Sequence, residues 1–204
     1  MPKLWTETVA AHRQGVRDAI LNAAALLAAS HGVRAITMSQ IAEDAGIGRA
    51  TLYKYYPDIE AILLAWHGRE IEAHLESLAT IAAGPHPAIE RLRRVLESFA
   101  LIIQSSRQHD PELGAFLHRE GELAGPHEHL RELTQSLLAE ALTAGEIRAD
   151  ARPDELARFC LHAIGAANSF ATKAPLDRLL AVVLDGLRGP FPSPPELVDG
   201  PSAT

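Results

Sequence analysis

Apolar side chains recur along this chain at intervals of three and four residues, and no segment sustains strict alternation, so the pattern predicts an all-α fold. Val16, Ile20, Ala23, Ala24 and Leu27 mark a first helix over about residues 9–30, with Gly32 placed as its C-cap. Two short helices follow, 37–45 and 49–55, joined by the turn Gly46-Ile47-Gly48. Beyond Pro57 and Asp58, the stripe Ile59, Ile62, Leu63, Trp66, Leu75, Leu78 and Ile81 predicts a long helix that reaches Ala83 and stops at Gly84-Pro85. Ile89, Leu92, Leu96, Phe99 and Ile103 predict a fifth helix. Pro111 opens a sixth with Leu113, Phe116 and Leu117, and Gly125-Pro126 separates it from a seventh that carries Leu130, Leu133, Leu137 and Ala141 and ends at Gly145. An eighth, 153–171, starts on Pro153, and a ninth, 176–188, follows Pro175. These nine helices divide into a compact triplet within 1–57 and a helical body over 58–188. Residues 189–204, five of them proline, read as an extended or disordered tail.

Composition narrows the class. At 47% hydrophobic and 22% charged the chain lies in the ordinary soluble range, and its longest wholly apolar run, Ala23 to Ala29, is far below the roughly 20 residues of a membrane span. Lys3 is followed by Trp5, Thr6, Glu7 and Thr8 rather than by an apolar stretch, so no signal peptide is expected and the cytoplasm is the expected location. The single cysteine, Cys160, rules out a disulfide framework and a cysteine-based zinc site. Residues 1–60 hold six basic and six acidic side chains, so the whole net charge of −7 resides in the remainder. An acidic body repels a polyanion, which confines any nucleic-acid contact to the N-terminal part.

There, two short helices joined by a glycine-containing turn and preceded by a longer helix have the layout of a helix-turn-helix DNA reader. Thr37 can cap the first short helix, Ile41, Ala42 and Ala45 offer it a small apolar inner face, and Leu52 can close the core from the second. Arg49, Ala50, Thr51, Lys54 and Tyr55 are then expected to face outward. In a major groove, Arg49 can pair bidentately with guanine and the methyls of Ala50 or Thr51 can meet thymine, while Lys54, Tyr55 and Thr37 hold phosphates. The other reading of the same spacing is a polar surface helix in an ordinary bundle.

The pattern Thr37-x3-Ile41-Ala42-x2-Ala45-Gly46-Ile47-x3-Thr51-Leu52-Tyr53-x-Tyr55-Tyr56, preceded by His31-Gly32 and followed by a long amphipathic helix, resembles the DNA-binding signature of the TetR family of transcriptional regulators. About 55 residues carry the likeness. It implies a DNA-binding homodimer whose helical body binds a small molecule and releases operator DNA, with Arg49, Ala50, Thr51, Tyr53, Lys54 and Tyr55 on recognition-helix positions and Thr37 on a phosphate-contacting one. Two positions depart from the pattern. Gly48 stands where a capping serine is common, and Asp58-Ile59-Glu60 lacks the lysine that often anchors a phosphate at the start of the fourth helix. Tyr53 is expected in a mixed role, its ring in the core and its hydroxyl toward a phosphate.

The resemblance also implies that the last two helices pair with those of a second copy, with Cys160 as a packed apolar residue. Trp66, Phe99, Phe116, Phe159 and Phe170, with the polar His74, His118, His162 and Asn168, lie on helices that in the family surround the ligand cavity, and they are the expected effector contacts. Ordinary core packing is the competing explanation for any one of them. The acidic body favours a neutral or cationic effector. Glu122, His127 and His129 are poorly spaced for a metal, because His-x-His on a helix points its rings to different faces. No cofactor is expected, and no phosphate loop or nucleophile elbow suggests an enzyme. The alternative to a ligand-responsive repressor is a small-molecule-binding helical dimer with a vestigial DNA-binding head.

Overall fold

The computed structural model describes residues 3–106, 124–170 and 172–188, and among these every regular element is helical. In chain order they are α1 (Lys3–His31), a 3₁₀ turn (Val33–Ala35), α2 (Met38–Asp44), α3 (Arg49–Tyr55), α4 (Ile59–Ala82), α5 (Ala88–Ser106), α6 (Ala124–Thr143), α7 (Pro153–Gly165), a 3₁₀ turn (Ala166–Ser169) and α8 (Lys173–Leu187). The sixth predicted helix, with Phe116 and His118, falls outside the described residues, as do Glu122 and the proline-rich stretch from 189. The other eight predicted helices are all present.

Their ends follow backbone chemistry. Gly32 takes the left-handed conformation, φ 79°, and its N–H bonds to the Ala28 carbonyl at 2.9 Å, which closes α1 as a C-terminal glycine should. Gly145, φ 70°, does the same after α6. Asp58 precedes α4 and its Oδ1 accepts the Ala61 N–H at 2.8 Å, so this acid caps the helix. Two boundaries differ from expectation. Gly125-Pro126, expected just ahead of the seventh helix, lies in the first turn of α6, where a missing N–H costs nothing. The eighth predicted helix leaves α geometry after Gly165, where the weak helix formers Gly165, Asn168 and Ser169 flank two alanines and the chain tightens into a 3₁₀ turn.

The described parts of the chain fall into two compact units, residues 1–78 with 102–129 and residues 79–101 with 130–204. In the first, Ile20, Ala24, Leu27 and Ala28 of α1 form one core with Met38, Ile41 and Ala42 of α2, Leu52 of α3, and Ile62 and Leu63 of α4. A polar tie adds to it: the Arg69 guanidinium on α4 donates to Asp18 Oδ1 at 3.3 Å and to Asn22 Oδ1 at 2.7 Å, both on α1. In the second unit, α7 and α8 pack together through Leu156, Ala157, Cys160, Ile164, Leu176, Leu180, Val183 and Leu187. Cys160 is fully buried, and burial pushes its thiol up to about 12, so it packs as an apolar side chain and remains unreactive. Arg91 Nη1 donates to the Ala82 carbonyl at 2.7 Å, its Nε to the His86 carbonyl, and its Nη2 to Glu140, which ties the α4 end to α5 and α6.

Candidate nucleic-acid interface

The helix-turn-helix is built by four consecutive residues between α2 and α3. Gly46 adopts φ 65°; its N–H bonds to the Glu43 carbonyl at 3.0 Å and the Ile47 N–H to the Ala42 carbonyl at 2.9 Å, the paired bonds of a Schellman stop. Ile47 tucks against the head core and so sets the angle at which the chain leaves α2. At the other end of α2, Thr37 Oγ1 accepts the Gln40 N–H at 3.3 Å while Gln40 Oε1 accepts the Thr37 N–H at 2.9 Å, a complete capping box. The Thr37 hydroxyl also donates to Gln40 Oε1 at 2.8 Å. The Thr-x-x-Gln spacing announces this box in the sequence, with Gln40 as the partner that completes the Thr37 cap.

Gly48 starts α3 in an extended conformation, with no side-chain cap, and its carbonyl accepts the N–H groups of Thr51 and Leu52 at 2.9 and 3.1 Å. Leu52 is fully buried, and Tyr55 and Tyr56 are half-buried against the same core. The inward face of α3 is therefore positions i, i+3 and i+4 from Leu52. This corrects two expectations. Tyr55 packs inward instead of facing out, and the Tyr53 ring is not in the core but 49% exposed, between Ala50 and Lys54 on the outward face. The period from Leu52 was the available signal, since a helix that buries Leu52 must bury residues 55 and 56 and expose 53. Burial raises the Tyr56 phenol above its ordinary pKa, partly offset by the nearby Arg17 and Arg69.

Arg49, Ala50, Tyr53 and Lys54 are thus exposed together, with Thr51 half-buried at their edge. Neither the Arg49 nor the Lys54 side chain makes a hydrogen bond or ion pair with another described residue, so both charges project from a rigid seven-residue helix about 10 Å long. Such a helix fits a major groove roughly 12 Å wide.

Residues 20–66 match the family model described as bacterial regulatory proteins, tetR family, and residues 96–189 match the C-terminal domain of transcriptional regulators described as SbtR-like. The chain belongs to the TetR family. Among curated relatives, the HTH-type transcriptional repressor KstR of Mycolicibacterium smegmatis is 28% identical over 137 residues, 64% of either chain. LfrR, an HTH-type transcriptional repressor of the same species, is 36% identical over 114 residues, 51% of this chain and 58% of its own. The matches therefore span less than two thirds of these relatives. Among solved structures, a TetR/AcrR-family regulator of Thermobifida fusca superposes with a TM-score of 0.69 at 22% identity, covering 85% of this chain and 98% of its own. A TetR regulator of Streptomyces coelicolor reaches 0.58 at 28% identity, covering 84% and 98%. The head and the helical body described above are the TetR fold.

The expected effector contacts within the described residues are divided between the two units. Trp66 and His74 lie in the first unit, and Trp66 packs half-buried against the head core. Phe99, Phe159, His162, Asn168 and Phe170 lie in the second. There Phe99 and Phe170 are half-buried, whereas His162 and Asn168 are exposed and His162 Nδ1 lies 2.8 Å from the Arg158 carbonyl. Phe159 is 47% exposed, with its ring over Gly186, where an added Cβ would lie 3.8 Å from Cε1 and Cζ. A surface cleft of about 410 Å³ at the α4–α5 corner is lined by Thr80, His86, Arg94, Glu97 and Ser98 among others, and by none of the expected contacts. His127 and His129 are exposed on α6.

Proposed function

We propose that this chain is a cytoplasmic transcriptional repressor that reads a near-palindromic operator as a homodimer, one α3 per half-site, and releases it when a small molecule binds the helical body. The observation that carries this reading is the outward face of α3: Arg49, Ala50, Tyr53 and Lys54 exposed on a helix seated by Leu52, Tyr55 and Tyr56, with both cations lacking partners among the described residues. Arg49 reads a guanine edge and the Ala50 and Thr51 methyls meet thymine, while Lys54, Tyr53 and Thr37 take phosphates. Tyr55 acts from behind by seating the helix. The complete capping box and buried core of the head support a working reader over a vestigial one, and the names of the relatives KstR and LfrR support repression over activation.

Exposed Phe159 on α7 and Val182 on α8, the latter 67% exposed, offer an apolar face on the two helices expected to pair with a second copy. Two heads are needed because operator half-sites lie about one DNA turn apart, roughly 34 Å. Trp66, His74, Phe99 and Phe170, with Phe116 and His118 from outside the described residues, remain the proposed effector contacts, and Phe159 is better suited to the interface. The protein acts by binding, with no turnover and no resident cofactor. Selection of bound duplexes from a random library at about 150 mM salt tests the reading. Enrichment of a palindrome is the expected result, and a pool that stays random would reject it.

A further inference from the structure

On an α-helix, residues 13, 17, 20 and 24 share one stripe. In α1 the lower half of that stripe, Ile20 and Ala24, is fully buried in the head core, while its upper half, Arg13 and Arg17, is exposed. Burial of Ile20 and Ala24 therefore sets the direction of the two arginines: they stand on the side of α1 that turns toward the rest of the head, past the edge of its core, where Val16 is half-buried. Neither guanidinium makes a hydrogen bond or ion pair with another described residue. The adjacent carboxylate, Asp18, is occupied by Arg69 at 3.3 Å and by Gln14 at 3.2 Å. Arg17 is also close enough to Tyr56, the residue that ends α3, for its charge to favour the phenolate there. Arg17 therefore lies at the end of the recognition helix that carries Lys54, and Arg13 stands one turn further along the same exposed stripe.

We infer that Arg13 and Arg17 form a second, sequence-independent grip on duplex DNA, taking backbone phosphates beside those reached from Lys54. The inference rests on the DNA-reading function proposed above and extends it to a segment that precedes residue 20, where the match to the family's DNA-binding domain begins. Charge complementarity chooses the partner: two guanidiniums without partners among the described residues, about 6 Å apart along the axis, face a strand that carries one phosphate per roughly 3.4 Å of duplex. They supply the backbone anchor that Asp58-Ile59-Glu60 cannot, because that segment carries two carboxylates and no cation.

The test is the salt dependence of binding by the full chain to a random-sequence duplex of about 30 base pairs and to the selected operator, for the wild type, the Arg13→Ala/Arg17→Ala double variant and the Arg13→Lys/Arg17→Lys double variant. Loss of two phosphate contacts per protomer lowers the log–log slope by about 1.8, so between 50 and 200 mM salt the alanine variant sheds about twelvefold less affinity per protomer than the wild type. It should lose affinity on both duplexes equally, keep the same base preference, and keep the wild-type circular dichroism spectrum. The lysine variant should retain the wild-type slope. An alanine variant that binds as the wild type does, at the same slope, overturns the inference and leaves the DNA-reading function standing. A wild type that binds neither duplex overturns both.

Discussion

Arg49 and Lys54 lie on one exposed face of α3, yet their chemistry assigns them different work. A guanidinium that pairs bidentately with guanine discriminates between bases, whereas an ammonium on a phosphate holds any sequence. Arg49→Ala should therefore relax base preference at one position of each half-site at a cost of about 1–3 kcal/mol, while Lys54→Ala should weaken binding to all duplexes and lower the salt slope by about 0.9 per protomer. Equal losses on specific and random DNA in both variants would refute the assignment. The two glycines of the turn respond in opposite directions. Gly48 has an ordinary φ of −73°, and a Cβ there meets nothing within 4 Å, so Gly48→Ser should add a capping bond and raise stability by about 0.5 kcal/mol. Gly46 sits at φ 65°, so Gly46→Ala should cost about 1 kcal/mol. Urea midpoints measured on the full chain separate the two signs.

At the scale of the helix, α5 shows how local charge order stabilises an element. Glu90, in its first turn, receives both arms of Arg93 at 2.8 and 2.9 Å and Arg94 Nε at 2.8 Å. Those bonds, Arg93 foremost and then Arg94, bring its carboxyl down to about 2 from an ordinary 4.5. The depressed value means the stabilisation is complete above about pH 4.5 and is lost as pH falls through 2. Thermal melts of the wild type should fall through that window, and Glu90→Gln should flatten the decline; an unchanged acid profile would show that the cluster contributes nothing. Arg93 also reaches Glu97 at 2.9 Å, and Glu97 lies 3.4 Å from Lys173 at the start of α8, so the chain of charges joins two elements. Helix starts were legible where capping chemistry is local, as at Thr37, Asp58 and Pro153. The start of α6 is less legible, because Gly125-Pro126 reads as a break ahead of the helix but is accommodated in its first turn.

For the whole molecule, the decisive expectation is dimerisation through α7 and α8. The Phe159→Glu/Val182→Glu pair places charges on two side chains that are already exposed in the single chain, so folding should persist by circular dichroism. Sedimentation should show the dimer replaced by monomer, and operator affinity should drop by roughly 10²–10⁴, the gain that linking two heads provides. A variant that remains dimeric would move the interface elsewhere.

The chain's hydrophobic period determined the helices, and its turn chemistry determined the helix-turn-helix, because both rest on interactions within about five residues: Thr37 with Gln40, Gly46 with Ala42 and Glu43, and Leu52 with the positions three and four beyond it. Those short-range constraints also placed Arg49, Ala50 and Lys54 outward. Exposure between helices needed the tertiary structure. The burial of Ile20 aimed Arg13 and Arg17, and the packing of α7 on α8 left Phe159 on an outer face. A pattern records that a side chain is apolar or aromatic, but which neighbour covers it depends on helices that meet across many tens of residues, and only the folded chain brings those together.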